Sequence, residues 1–296
     1  MLPKTKAHIG LLFTNFFFAV NLIAIKYFTS NGYAAPYGLN MIRIGVSVIL
    51  FWVVYLFTKE KMKFERKDII RFLLCALTAL AINQMLFMKG LSYTYSIHVS
   101  LLLLITPILI TFIAAWILKE RLTILKILGL FAGISGASLL IHSGVNSGNG
   151  HDILLGDFLI ILSAFSYTFY FILVKPLMFK YSPIDVMRWV FTLGFLMIIP
   201  LGYKEFTQIT WYQFSFWDYF LLFIIVVPGT FLAYIFNVYG IKILSASVAG
   251  TYIYLQPLFA VLFAMLFLKE ELTVNKVIAA ILIFTGVYLA NYKKKG

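Results

Sequence analysis

Long apolar runs alternate with short polar breaks along the whole chain. A helix needs about 20 apolar residues to cross a hydrocarbon core. Ten stretches approach or exceed that length, near 8–28, 37–57, 70–90, 95–118, 124–142, 156–174, 185–203, 217–238, 245–268 and 274–292. Runs such as Leu101-Leu102-Leu103-Leu104-Ile105 do not alternate apolar with polar residues. They do not suit a closed β-barrel, the other way to span a bilayer. The pattern therefore predicts an all-α integral membrane protein with ten transmembrane helices. Ser30-Asn31-Gly32 and Ser182-Pro183 are turn formers between runs. The flexible stretch from Ser143 to Gly150 falls near mid-chain and reads as a linker. It divides the chain into 1–143, a linker at 144–151, and 152–296.

Composition agrees. The 296 residues are 62% hydrophobic and only 12% charged, with a mean hydropathy of +0.96; soluble domains run at roughly 45–50% apolar. The net charge of +13 does not indicate nucleic acid, because the basic residues flank apolar spans and form no basic face. They set orientation instead. With the N-terminus inside, Lys59, Lys61, Lys63, Arg66, Lys67 and Arg71 lie inside, as do Lys293, Lys294 and Lys295. The outside ends hold only Lys26, Lys89, Lys204, Lys269 and Lys276. This bias requires an even number of spans. The first run follows Lys4 and Lys6 but is longer than a signal core of about 7–15 residues, so it reads as an uncleaved helix. Cys75, the single cysteine, lies in an apolar run and forms no internal disulfide.

The chain repeats at an offset of 150 residues. Lys119-Glu120-Arg121-Leu122-Thr123 recurs as Lys269-Glu270-Glu271-Leu272-Thr273, and Gly90, Pro107, Ala114, Lys126 and Gly136 match Gly240, Pro257, Ala264, Lys276 and Gly286. Five spans per half is an odd number. The second half therefore enters the membrane from the opposite side, giving two inverted five-helix repeats. Two inverted halves can exchange conformations and open a central site to each side in turn.

With Pro107 followed by Leu118-Lys119-Glu120-Arg121-Leu122-Thr123, and Pro257 followed by Leu268-Lys269-Glu270-Glu271-Leu272-Thr273, the chain resembles the EamA-type family of the drug/metabolite transporter superfamily. Gly10 and Lys26 around the first span, Gly156-Asp157 and Lys175 around the sixth, and Arg43 in the second fit the same pattern. Ala19-Val20-Asn21 stands where the family commonly has a Trp-Gly pair. The resemblance implies a cavity lined by spans 1, 3, 4, 6, 8 and 9, with 5 and 10 peripheral. It implies a permease exporting amino acids or similar small metabolites, in the bacterial cytoplasmic (inner) membrane with both termini cytoplasmic. Uptake or exchange of a nucleoside, vitamin or cofactor is the alternative on the same fold.

Polar residues within spans are functional candidates by default. Ser163, Ser166, Tyr167 and Tyr170 share a face of the sixth span; Thr230, Tyr234 and Asn237 share one of the eighth; Tyr252 and Gln256 form a row in the ninth. Asn83 and Gln84 match Ala233 and Tyr234 across the repeat, and the first span adds Asn15 and Asn21. Together they suit a cavity for a polar or zwitterionic metabolite, with Asn15, Asn83, Gln84, Tyr167, Tyr170, Tyr234, Asn237, Tyr252 and Gln256 as the substrate-binding set. Interhelical hydrogen bonding, at about 0.6 kcal/mol per contact, is the competing role, and it suits the Ser and Thr residues better than the amides. Pro107 and Pro257 each remove a helix hydrogen bond and act as hinges or as fixed bends. His98 is a candidate for proton coupling, since His titrates near neutral pH. Arg43 fits a structural or snorkelling role better than substrate contact.

All eleven carboxylates fall in loops or near helix ends, which disfavours a proton-driven pump of lipophilic cations. Gly129-Leu130-Phe131-Ala132-Gly133 predicts close packing of the fifth span on a neighbour and says little about dimerisation. Gly133-Ile134-Ser135-Gly136 resembles the nucleophile motif of intramembrane serine proteases, with His98 as a conceivable base, but leaves the repeat unexplained. His142, His151 and Asp152 sit in flexible sequence that fixes no metal geometry. The expectation is a non-enzyme without cofactor or metal, whose partners are a small-molecule substrate and the lipid bilayer.

Overall fold

The computed structural model describes residues 3–58, 65–106, 108–109, 112–113, 124–145, 150–244, 252–253 and 255–291. Helices dominate these residues, and no strand occurs among them. They are α1 (Pro3–Ser30), α2 (Pro36–Leu56), α3 (Arg66–Tyr93), α4 (Ser96–Leu102) and α5 (Ile124–Val145). The second half gives α6 (Gly150–Lys180), α7 (Pro183–Thr207), α8 (Phe216–Leu244), α9 (Leu255–Phe267) and α10 (Val274–Asn291). By length and composition, α1, α2, α3, α6, α7 and α8 are long and apolar enough to cross a membrane, while α5, α9 and α10 contribute shorter apolar stretches. Leu56, Phe131, Leu196, Phe223 and Ile281 face outward and exposed, as lipid-facing positions do. Between the halves α5 runs to Val145 and α6 begins at Gly150, so the two ends of the expected linker are helical, and 146–149 lie outside the described residues.

The packing maps onto itself when the halves are exchanged. α3 lies on α6 as α8 lies on α1; α4 lies on α6 as α9 lies on α1. α2 and α7 pack on each other, as do α5 and α10. The α5–α10 contact explains the small residues read from the sequence. A Cβ on Gly286 would stand 2.6 Å from the Gly129 carbonyl oxygen, and one on Gly136 would stand 2.8 Å from the Ala279 carbonyl oxygen. Only glycine allows backbones this close.

Two further features repeat at the same offset. Residues Leu77–Ile82 within α3 and Val227–Leu232 within α8 are both π-helical turns, 150 residues apart. Pro228 lacks an N–H and favours the irregular turn in α8; the local sequence offers no such reason in α3. Asp68 and Asp218 are also 150 apart, and both are buried at the starts of their helices. Tyr181, just past α6, donates to Asp68 Oδ2 at 2.7 Å, and Tyr27 of α1 donates to Asp218 Oδ1 at 3.2 Å.

Carboxylates also close helix starts. Glu205 Oε2 accepts from the backbone N–H groups of Tyr37 (2.6 Å) and Gly38 (3.0 Å) at the head of α2. Glu270 accepts from Ser96 (2.9 Å) and Ile97 (3.0 Å) at the head of α4. These N–H groups have no partner within their own helix, so Glu270 gives the repeated Lys-Glu motif a physical role. The matching Glu120 and the rest of 119–123 lie outside the described residues.

Candidate functional site

A cavity lies between the halves. Its space for the centres of water molecules is about 100 Å³. Asn15, Phe18 and Asn21 of α1, Arg43 of α2, Asn83 and Gln84 of α3, and Thr106 line it from the first half. Tyr167 of α6, Tyr234 and Asn237 of α8, and Gln256 of α9 line it from the second. None of the described residues of α5 or α10 lines it.

A chain of hydrogen bonds crosses the cavity wall. Arg43 Nη2 donates to Asn40 Oδ1 at 2.7 Å and to Gln84 Oε1. Gln84 Nε2 donates to Asn83 Oδ1 at 3.1 Å and to the Tyr234 hydroxyl at 2.8 Å. Gln84 and Tyr234 are 150 residues apart, so two repeat-matched positions touch each other. Each lies two residues past the end of a π-helical turn. Such a turn shifts the phase of everything after it and tends to mark functional positions. The Tyr234 ring is held edge-on by Phe18 and Phe191, with centroids 5.7 and 5.0 Å away. Its hydroxyl accepts from Gln84 and keeps its own proton to donate.

The other amides are anchored by backbone. Asn83 Nδ2 donates to the Ser163 carbonyl at 2.8 Å, Asn15 Nδ2 to that of Leu11 at 2.8 Å, and Asn21 Nδ2 to that of Gly229 at 2.6 Å. The Ser and Thr side chains bond backbone carbonyls: Ser163 to Ile160, Ser166 to Thr78 and Thr230 to Ile225.

Among the expected substrate-binding residues, Asn15, Asn83, Gln84, Tyr167, Tyr234, Asn237 and Gln256 come together here. Tyr170 and Tyr252 are not in the lining. Tyr170 is fully buried in the core beside Met187. Tyr252 precedes α9, with its hydroxyl 2.6 Å from His8 Nδ1. Pro257 sits in the first turn of α9, where its missing N–H breaks no internal hydrogen bond. Pro107, the other expected hinge, lies outside the described residues.

Arg43 is the main residue that the sequence left out of the cavity. Its position in a helix was readable; the absence of a carboxylate from its described partners was not. His98 lies apart from the cavity. Its Nδ1 is 2.9 Å from Asp157 Oδ2, and both side chains are almost wholly buried. Thr94 donates to the other Asp157 oxygen at 2.5 Å. Asp157 stands near a helix end, as the sequence indicates, yet is fully buried, so burial is not confined to uncharged residues. Ser135 is exposed on α5, and the described partner of His98 is Asp157, not that serine. No cluster of three or more metal-ligating side chains occurs among the described residues.

Apolar helices of spanning length around a polar cavity define a multi-pass membrane protein. Residues 5–142 and 154–292 each match the model of the EamA-like transporter family, so the chain belongs to that family and is a membrane transporter. It is similar to the uncharacterized transporter YvbV of Bacillus subtilis (strain 168), with 26% identity over 297 residues, covering 99% of this chain and 94% of that one. It is also similar to the uncharacterized transporter YetK of the same organism, at 24% identity over 256 residues and 84% and 76% coverage. An uncharacterized transporter of Archaeoglobus fulgidus is 26% identical over 208 residues, at 69% and 70% coverage. One solved crystal structure superposes over 99% of both chains with a TM-score of 0.68 and 16% identity, a likeness of fold alone.

Proposed function

We propose that this transporter is a permease of ten membrane helices in two inverted five-helix repeats. It exports amino acids or similar small metabolites by alternating access. The observation that carries this reading is the contact between Gln84 and Tyr234. Two positions related by the repeat meet at the wall of one cavity, beneath two π-helical turns related by the same repeat. Residues near an inverted-repeat axis are brought together in this way. The exchange symmetry of the helix packing supports the same arrangement.

Cavity size favours a small cargo over a nucleoside or cofactor. One water centre needs roughly 10–15 Å³, so about 100 Å³ accommodates on the order of ten heavy atoms. Export and an amino-acid cargo come from the family resemblance.

Transport by liposome-reconstituted protein tests the site. Tyr234→Ala should reduce substrate exchange by roughly tenfold or more, as loss of a buried charge-linked hydrogen bond does. Tyr288→Ala, on the exposed side of α10, should leave it near wild type. Equal losses would mean that the substitutions report stability, and the site assignment would fail. Orientation is open to cysteine labelling. With Cys75→Ala as background, Asn146→Cys should react from outside intact cells, and reaction only after permeabilisation would invert the topology.

A further inference from the structure

A second hollow lies outside the central cavity and shares none of its lining. It is an open groove between the start of α3 and the end of α6, with about 500 Å³ of space for the centres of water molecules. Lys67, Asp68 and Arg71 of α3 and Lys180 of α6 give it a charged rim, and Ile70, Leu74 and Leu173 give it an apolar floor. Ile70 is 69% exposed and Leu74 is 40% exposed, so the floor is open at the surface. Leu74 lies about one helical turn deeper than Ile70, and Leu173 about two turns deeper than Lys180. Charge at the helix ends with apolar surface farther in is the order of a phospholipid from headgroup to chains.

The charges on the rim do not cancel. Glu65 lies 2.7 Å from Lys67 and 3.3 Å from Lys180, and Asp68 lies 2.9 Å from Lys180. Three cations therefore meet two carboxylates, and the half-buried Arg71 has no ion pair among the described residues. The other half of the chain shows that the fold does not need these cations. Asp218 matches Asp68 across the repeat, but Trp217, Leu221 and Ser30 stand where Lys67, Arg71 and Lys180 would be. The corresponding helices α8 and α1 pack together without any of the three charges. Membrane orientation calls for Lys and Arg in the loops beside spans. It does not call for an unpaired arginine inside a helix at the edge of an apolar groove.

We infer that this groove binds an anionic phospholipid, with the phosphodiester at Arg71 and Lys67 and the acyl chains along Leu74 and Leu173. The phosphodiester of a glycerol headgroup carries one negative charge, which matches the one surplus cation on the rim. A zwitterionic headgroup brings its own ammonium, which Arg71 repels. The guanidinium offers charge-assisted hydrogen bonds to the phosphate oxygens. Basic pockets between membrane helices hold anionic headgroups in this way. The inference is independent of what the central cavity carries.

Thermal unfolding of the detergent-purified full chain tests it. The probes are dioleoyl phosphatidylglycerol, dioleoyl phosphatidylcholine and glycerophosphoglycerol, the chain-free headgroup. Phosphatidylglycerol should stabilise the protein at a concentration at least about fivefold lower than phosphatidylcholine, the effect of one Lys or Arg near a membrane surface. Arg71→Gln should remove that preference, and Lys67→Gln should weaken it. Lys4→Gln, which takes the same charge from the start of α1, should leave it unchanged. If Arg71→Gln does not fold, the comparison of Lys67→Gln with Lys4→Gln decides. Phosphatidylcholine stabilising as well as phosphatidylglycerol would overturn the inference. So would an undiminished preference in Arg71→Gln, or equal effects of Lys67→Gln and Lys4→Gln. Glycerophosphoglycerol matching the intact lipid would mean a site for soluble phosphodiesters, and the lipid assignment would fail.

Discussion

Arg43 and Arg188 occupy α2 and α7, two helices that pack against each other from opposite halves. Both are almost fully buried, yet their surroundings differ. Arg188 lies 3.3 Å from Asp185 Oδ1 and stacks on the Tyr55 ring, with Trp52 and Trp189 beside it. Its charge is absorbed by the fold. The described partners of Arg43 are amide oxygens, and it lines the cavity. The halves thus share helix order, π-helical turns and buried aspartates, but not electrostatics. Duplication accounts for the backbone, and the departures from it mark where one half serves the cavity and the other serves the scaffold.

The largest departure is the His98–Asp157 pair. Counting back and forward by the repeat, the corresponding positions are Ala7 and Val248, which can form no such pair. Removing one member of a buried pair strands the other, at a cost of about 3–5 kcal/mol. Asp157→Ala should therefore lower unfolding stability by about that amount, since His98 Nδ1 and the Thr94 hydroxyl both lose their partner. Denaturant unfolding in detergent would measure it. A loss under about 1 kcal/mol would mean that water or another side chain replaces the carboxylate, and the asymmetry would be structural decoration.

Gly90 and Gly240 match in sequence but not in what surrounds them. A Cβ at Gly90 would meet the Gly156 carbonyl oxygen at 2.9 Å, a backbone atom that cannot step aside. At Gly240 all three nearest atoms belong to the Leu11 side chain, the closest at 2.5 Å, and that side chain can change rotamer. Gly90→Ala should cost about 1–3 kcal/mol through overpacking, and Gly240→Ala should cost less. A reversed order in thermal unfolding would show that the α1–α8 contact is the stiffer of the two.

Much of this fold was legible because a hydrocarbon slab fixes helix length. The runs at 70–90 and 217–238 became α3 and α8 with a few residues added at each end. Side-chain faces were legible only where the helix was regular and the wall broad. Tyr167 and Tyr170 share a face, yet Tyr167 lines the cavity while Tyr170 turns to Met187 of α7. Tyr252 and Gln256 form a row only in a continuous helix, and α9 begins after Tyr252. The π-helical turn in α3 carries no sequence signal, since its six residues would propagate an ordinary helix. The isolation of Arg43 was invisible for a different reason. A missing partner is a property of the assembled fold, and no local pattern encodes it.

The smallest difference concerns the two lysines that close matching helices, Lys26 in α1 and Lys175 in α6. Lys26 is half-buried, and its Nζ donates to the carbonyl oxygens of Leu91 (2.9 Å) and Thr94 (2.6 Å), tying α1 to the end of α3. Lys175 is exposed; at that end Lys242 of α8 donates instead to the Tyr181 carbonyl, just past α6, at 3.5 Å. In an inverted repeat these residues lie toward opposite faces of the membrane. The two ends are then tied differently, by Lys26 of α1 at 2.6–2.9 Å and by Lys242 of α8 at 3.5 Å. Lys26→Met should lower stability by about 1 kcal/mol, the usual net worth of such hydrogen bonds at a partly solvated site. Lys175→Met should stay within about 0.5 kcal/mol of wild type, as surface substitutions do. If the two variants unfold alike, the tie at Lys26 adds nothing to that end, and the difference between the two ends must lie elsewhere, with the His98–Asp157 pair as the next place to look.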